Sequence, residues 1–391
     1  MKQRKIACLN KIAPCGLELF GDNYSLTDDL SVADAWLVRS ANLLEKELPD
    51  PLRAIARAGA GVNNIPIQRC SEEGIVVFNT PGANANAVKE LVMAGMLLAT
   101  RGILPGMAYV NSLTDMTDAA EMHALLEKDK ARFAGGEIKG KTLGIVGLGA
   151  IGSMVADMAL AMGMKVVGFD PALAIDAAWR LDSSVQRMEN LSALMARSDY
   201  ISLHVPALEA TKHMVNAAAL AQAKPTAVLL NFARETIVDS AAVKQSLDAG
   251  KLAYYVCDFP EPAMLNHPKV IAMPHIGAST EESEENCAVM AANQLMDYLE
   301  NGNIVNSVNF PAVSMGRVAN SSRITFSNDN VSGVLGHVLS VLADKKVNVI
   351  DMMNKSRGEL AFNIIDVETK PTDDVVSAIA AVEHVIRVRV I

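Results

Sequence analysis

Leu143-Gly144-Ile145-Val146-Gly147-Leu148-Gly149-Ala150-Ile151-Gly152 is the stretch that decides the fold of this chain. A short apolar run of strand character enters glycines spaced Gly-x-Gly-x-x-Gly, and an apolar helical pattern follows over residues 151–162. Gly147 permits a tight turn, Gly149 lets a pyrophosphate approach the backbone, and Gly152 lets helix and strand close up. Amides at the helix start, including those of Ala150 and Ile151, would then face the phosphates. The next apolar run ends in Asp170. A carboxylate there accepts hydrogen bonds from both ribose hydroxyls and repels a 2′-phosphate. Pro171-Ala172-Leu173 brings no arginine to neutralise one, so the expected cofactor is NAD rather than NADP.

Outward from this turn the pattern repeats. Apolar runs at 165–169, 200–203, 227–231, 253–257 and 270–273 alternate with helical segments, as in a parallel sheet covered on both faces. Upstream, 35–38, 54–58 and 75–78 read as strands and 85–100 as a long apolar helix. Gly59-Ala60-Gly61 and Thr80-Pro81-Gly82 punctuate them as strand-end turns. Downstream, 281–301 reads as a helix with an acidic start, which suits a helix N-terminus. Beyond Asn309-Phe310-Pro311 and a short Ser/Ala/Gly-bearing linker, residues 322–391 read βαββαβ, a ferredoxin-like unit. The expected fold class is α/β: two Rossmann-like, doubly wound parallel-sheet domains and a C-terminal ferredoxin-like domain. The expected boundaries are 1–98 with 281–310 for a discontinuous substrate domain, 99–280 for the cofactor domain, and 322–391 for the tail.

Composition narrows the function classes. Hydrophobic residues make up 50% and charged residues 20% of the 391, which fits a soluble enzyme. Aromatics are only 4%, so the 20 Met join the aliphatic residues as packing material. A net charge of −9 with no long basic run argues against nucleic acid or an anionic membrane as partner. The 5 Cys show no Cys-x-x-Cys pair, and no metal-ligand spacing is evident. The basic start Met1-Lys2-Gln3-Arg4-Lys5 lacks the apolar core of a signal peptide. The apolar stretch Leu91 to Thr100 is about half a membrane span. A cytoplasmic location is expected.

Arg234, Glu261 and His275 each follow an apolar strand, in Asn231-Phe232-Ala233-Arg234, Cys257-Asp258-Phe259-Pro260-Glu261-Pro262 and Met273-Pro274-His275-Ile276-Gly277. Strand ends of one parallel sheet can bring such side chains to one crevice. A guanidinium can clamp a carboxylate. A histidine backed by a carboxylate can take a proton from an alcohol near neutral pH. That is equipment for oxidising a 2-hydroxy acid with a nicotinamide.

These segments resemble the signatures of the D-isomer-specific 2-hydroxyacid dehydrogenases. With Leu37-Val38-Arg39-Ser40, the turn Arg57-Ala58-Gly59-Ala60-Gly61-Val62 and Asn79-Thr80-Pro81, they resemble the branch that oxidises D-3-phosphoglycerate on the way to serine. The resemblance implies catalysis by Arg234, Glu261 and His275, with Glu261 orienting His275. It implies substrate contacts from Arg39, Ser40, Ala60, Gly61 and Arg234, with Arg39 on the phosphate end. Cofactor contacts would come from Gly147, Gly149, Ala150, Ile151, Gly152, Asp170, His204, Val205, Pro206, Ala233, Asp258 and Gly277. The tail would be an ACT domain, holding L-serine through Asn328, Asn330 and Asn348, in a homodimer or homotetramer. The chain departs from the family pattern in three places. The loop before Glu261 is short, Asn63 replaces a usual Asp, and Asn328 and Ser332 stand where His and Pro are common. Two other readings share parts of this equipment: a reductase of glyoxylate, hydroxypyruvate or another 2-oxo acid, and a nicotinamide-sensing binding protein.

Overall fold

Ala35-Trp36-Leu37-Val38 is buried at every position, as a strand in the middle of a sheet covered on both faces requires. A computed structural model describes residues 3–173 and 175–391; Met1 and Lys2 of the basic start lie outside the described residues. The first strands are β1 (Arg4–Cys8), β2 (Tyr24–Thr27), β3 (Ala35–Val38), β4 (Ala54–Arg57) and β5 (Val76–Phe78). They form a parallel sheet in the order β2-β1-β3-β4-β5. Neither β1 nor β2 stands out in the sequence, because polar residues interrupt both: Arg-Lys-Ile-Ala-Cys and Tyr-Ser-Leu-Thr.

The second series is β6 (Thr142–Val146), β7 (Lys165–Phe169), β8 (Gln186–Arg187), β9 (Tyr200–Leu203), β10 (Val228–Asn231), β11 (Tyr254–Cys257) and β12 (Val270–Ala272). Its order is β12-β11-β10-β9-β6-β7-β8, parallel throughout. The winding reverses between β6 and β9, the topological switch point where ligands of such sheets gather. The expected strands of this sheet all form, with ends within a residue or two. The unexpected β8 is two exposed residues, too short to leave a pattern.

Packing divides the chain into two compact units: the stretch up to Asn84 with Thr280–Ile391, and Ala85–Ser279. The helix Ala85–Thr100 therefore belongs wholly to the second unit, where a side chain at Gly95 would press on Phe232, Leu230 and Val256. The division falls at the start of that helix rather than near residue 98. In the first unit the helix Glu281–Asn301, capped by the Thr280 side chain, covers the sheet with buried Ala288, Ala291, Leu295 and Tyr298. Among the described residues, no single helix is long and apolar enough to cross a membrane.

The first unit also holds β13 (Ser322–Asp329), β14 (Val349–Arg357), β15 (Leu360–Val367) and β16 (Val385–Val390), with helices Val334–Asp344 and Asp373–Ala380. These strands are antiparallel in the order β14-β15-β13-β16, the ferredoxin-like arrangement. Alternation assigns the faces. Ile324, Phe326, Ile365 and Val367 pack with both helices. Phe362 and Ile364 on the other face join Tyr298 and Phe310 in the core of the first sheet.

An ion pair closes that joint. Arg323 and Asp366 are both 0% exposed and make a two-pronged bond, Nε to Oδ1 and Nη2 to Oδ2, each 2.7 Å. The remaining arginine donors reach the carbonyls of Asn301 at 2.8 Å, Met315 at 2.9 Å and Gly316 at 2.7 Å. Every guanidinium direction is thus used, and this satisfaction is what makes a buried pair tolerable. Asp366→Ala would leave the arginine charge buried and unpaired, and should cost about 3–5 kcal/mol. Denaturant unfolding of the full chain checks this.

Candidate active site

The β6 turn is built by contacts that exclude side chains. Gly147 has φ +91°, and a Cβ there would lie 2.6 Å from the His204 carbonyl oxygen. A Cβ on Gly152 would lie 1.9 Å from the Gly147 carbonyl oxygen. Around Gly149 the space is open, with nothing within 4 Å of an added Cβ. No side chain caps the helix Ala150–Ala161, so its first-turn amides have no intrahelical partner. Asp170 is already oriented: Oδ2 accepts from the Leu148 amide at 2.8 Å and Oδ1 from the Ala172 amide at 2.9 Å. Each oxygen keeps a lone pair for a ribose hydroxyl. An open glycine cradle, free amides and an aimed carboxylate fit a dinucleotide.

His204 follows β9 and shares a 2.8 Å hydrogen bond with the buried Ser202 hydroxyl. Burial pushes its imidazole down to about 4, so the ring is neutral at ordinary pH. Val205 packs on the sheet core, and Pro206 is exposed. Arg234 follows β10, where Asn231, wholly buried, organises the loop: its Nδ2 donates to the Arg234 carbonyl at 2.9 Å and its Oδ1 accepts from the Ala233 amide at 3.2 Å. The positioning role of Asn231 was not anticipated; a polar residue closing an apolar strand was its signal.

The β11 end carries the densest set of contacts. Asp258 is 1% exposed. Its Oδ2 accepts from the Gly277 amide at 3.1 Å, its carbonyl accepts from the His275 amide at 2.8 Å, and its Oδ1 is buried with no partner. Burial raises the Asp258 carboxyl above its ordinary range, with the Gly277 bond and the His275 and Arg234 charges pulling back. An orphaned acceptor of this kind suits an incoming amide donor. His275 itself has φ +44°, a left-handed backbone that is costly outside glycine and that gathers at functional sites.

The orienting partner of His275 in this structure is not the expected one. Glu261 and His275 are both exposed, and no hydrogen bond or ion pair joins them among the described residues. Phe259 lies between the functional groups instead. Its ring centroid is 4.3 Å from that of His275, and the Arg234 guanidinium carbon lies 5.3 Å above it. The short loop explains this, because Pro260 and Pro262 fix the chain on either side of Glu261 and Phe259 fills the space against the imidazole.

The expected substrate residues of the first unit cluster at the ends of β3 and β4. The Asn10 side-chain oxygen accepts from the amides of Arg39, Ser40 and Ala41 at 2.9, 3.0 and 3.0 Å. Arg57 Nε donates to the Arg39 carbonyl at 2.8 Å, and Asn79 Nδ2 to the Ala60 carbonyl at 2.6 Å. Gly61 stands beside Ala60 in that turn. The Arg39 guanidinium is engaged by Glu284 at 2.7 Å, both side chains about two-fifths exposed. Neither Asn10 nor Glu284 could be singled out from the sequence, since both act across long sequence gaps.

The three tail asparagines are not brought together within one chain. Asn328 is buried and bonded to Asn363 at 2.7 Å. Asn330 donates to the Gly358 carbonyl at 3.0 Å. Asn348 precedes β14, at the opposite end of the sheet, and donates to Glu368 at 3.3 Å. A strand of that length separates them by roughly 25 Å.

The model of the D-isomer-specific 2-hydroxyacid dehydrogenase NAD-binding domain matches residues 103–277. The chain is 32% identical to the D-3-phosphoglycerate dehydrogenase of Haemophilus influenzae, over 90% of this chain and 85% of that one. It is 30% identical to the D-3-phosphoglycerate dehydrogenase of Escherichia coli K12, over 92% and 88%. Among solved structures, it is similar to the NAD-bound 3-phosphoglycerate dehydrogenase of Entamoeba histolytica, with a TM-score of 0.62, 26% identity, and coverage of 78% and 99%.

Two outcomes are expected. Phe259→Ala removes a tilted ring contact and a cation–π contact together worth about 1–2.5 kcal/mol; kcat/KM should fall about 10-fold or more, with NAD affinity held. His204→Asn should leave the pH–rate profile above pH 5 unchanged in shape, because an imidazole at about 4 carries no charge there.

Proposed function

The chain belongs to the D-isomer-specific 2-hydroxyacid dehydrogenases, and we propose that its reaction is oxidation of D-3-phosphoglycerate to 3-phosphooxypyruvate, the first step of phosphorylated serine synthesis. It is an NAD-dependent oxidoreductase. The observation that carries the substrate is identity of 30–32% to D-3-phosphoglycerate dehydrogenases along most of both chains.

The residues divide the work as follows. The Arg234 fork of the second unit clamps the substrate carboxylate; Ala60 and Gly61 of the first unit are taken as substrate contacts by resemblance. His275 takes the hydroxyl proton as general base. A bound NAD would supply the hydride acceptor for the hydroxyl-bearing carbon. The orphaned Asp258 Oδ1 would receive the amide of a bound nicotinamide. Glu261 supports the imidazolium once its side chain turns towards His275. Arg39 and Ser40 receive the phosphate, which has to take Arg39 from Glu284.

The tail is read as an ACT domain that responds to L-serine. Because Asn348 lies far from Asn328 and Asn330 in one chain, a serine site using all three requires a second copy. Self-association also suits the helix Ile103–Asn111, none of whose residues is buried and which exposes Leu104 and Met107. The working state is a homodimer or homotetramer in the cytoplasm. The Arg39–Glu284 pair favours one second reading, reduction of an unphosphorylated 2-oxo acid such as glyoxylate or hydroxypyruvate.

The deciding assay is NADH production from D-3-phosphoglycerate and NAD, with and without millimolar L-serine. Turnover is expected, and serine should suppress it. Turnover on hydroxypyruvate with NADH, but none on D-3-phosphoglycerate, would select the second reading. His275→Asn should lower kcat by about 10²–10⁴-fold while NAD still binds.

A further inference from the structure

Three arginines meet where the C-terminal sheet joins the turn before β4. Arg387 and Arg389 sit two apart on β16 and so share a face, opposite Ser327 and Thr325 of β13. Arg387 donates to the Leu52 carbonyl at 2.6 Å and to the Asp50 carbonyl at 2.7 Å. Arg389 donates to the Leu299 carbonyl at 3.1 Å and lies 4.6 Å over the Tyr298 ring. Arg53 follows Leu52 directly. Among the described residues its guanidinium has no hydrogen-bond or ion-pair partner.

No carboxylate pairs directly with these cations among the described residues, although the Asp34 and Asp50 charges favour Arg53 and the Asp50 charge favours Arg387. Asp50 offers its backbone carbonyl, the Asp34 carboxylate is held by the Lys5 amide at 2.7 Å, and among the described residues neither carboxylate comes within ion-pair distance of the three arginines. Burial lowers Arg53, with the Arg389 charge next. Burial also lowers Arg387, with the Arg53 charge next. The three guanidinium groups thus repel one another in a half-buried place. Two donors there are idle: Arg389 Nη1 and Ser327 Oγ are buried without partners. Ser327 is 2% exposed, and its hydroxyl lies beside Arg387 over Gly74.

We propose that Arg53, Arg387, Arg389 and Ser327 form an anion-binding site for a phosphoryl or carboxylate group, at the joint between the C-terminal sheet and the first sheet. Guanidinium forks and a hydroxyl match the oxygens of either group. The site is separate from the substrate arginine cluster. Arg53 precedes β4 and Arg57 ends it, a rise of roughly 13 Å. A bound anion replaces repulsion across the joint with attraction to both sides, so it fastens the C-terminal sheet in place.

Phosphate titration of the full chain, followed by thermal unfolding at constant ionic strength with chloride as the replaced ion, tests this. Wild type should show a saturable rise in Tm, as for any ligand that binds only the folded state. Arg53→Gln should bind at least 10-fold more weakly while its NAD-dependent turnover is unchanged. Ser327→Ala, a smaller change, should weaken binding in the same direction and serves should the arginine variant fail to fold. Phosphate held at the substrate site would stabilise wild type and both variants equally, so only the part lost on substitution counts for the arginine site. Citrate in place of phosphate separates carboxylate from phosphoryl ligands, and a substitution-sensitive rise with either supports the site. Equal shifts in wild type and variants, or no shift in any, would overturn the proposal.

Discussion

The buried residue Asp258 ties the His275 loop to the sheet. Its carbonyl takes the His275 amide and one carboxylate oxygen takes the Gly277 amide, so the loop after β12 is fastened to the end of β11 at two points. This fastening holds His275 in a left-handed backbone that an unconstrained histidine would leave. The same carboxylate keeps one oxygen unpaired in a buried place, a cost that a hydrogen-bonding ligand repays. Structural strain and ligand readiness therefore rest on one residue.

Around that point the aromatic ring of Phe259 replaces a charge partner. A guanidinium above one face and an imidazole beside it are held by dispersion and quadrupole attraction, which fix position without fixing protonation. Glu261, on an exposed proline-flanked segment, stays available to approach the imidazole when charge develops there. The short loop thus puts Phe259 against His275 and leaves Glu261 exposed.

Legibility in the sequence followed the range of the interactions. Strands buried on both faces declare themselves as apolar runs, and β3, β6, β7 and β9 end where those runs end. The glycine turn is legible because each contact it avoids lies close in sequence or in the adjoining strand. Edge strands such as β2, with one polar side, are not. The partners of functional side chains were hidden for a different reason. Asn10 on the Arg39 loop, Glu284 on Arg39 and Asp366 on Arg323 are placed by topology, across gaps that no local pattern spans. The resemblance implies a ligand contact at Asn328, yet its oxygen is taken by Asn363 from the neighbouring strand.

The joint between the C-terminal sheet and the first sheet is linked through the first unit to the Arg39 loop. An effector changes turnover only if it binds two conformations unequally, and the difference has to reach the substrate residues through matter. Within the first unit one element spans that interval. The helix Glu281–Asn301 carries Glu284, the partner of Arg39, in its first turn, and its last carbonyl accepts from Arg323 of β13. At 1.5 Å per residue it is a rod of roughly 30 Å, gripped at one end by the buried pair of the C-terminal sheet. Its packed face of Ala288, Ala291 and Leu295 lies in the core of the first sheet. The helix thus joins the buried pair of the C-terminal sheet to Glu284, the partner of Arg39.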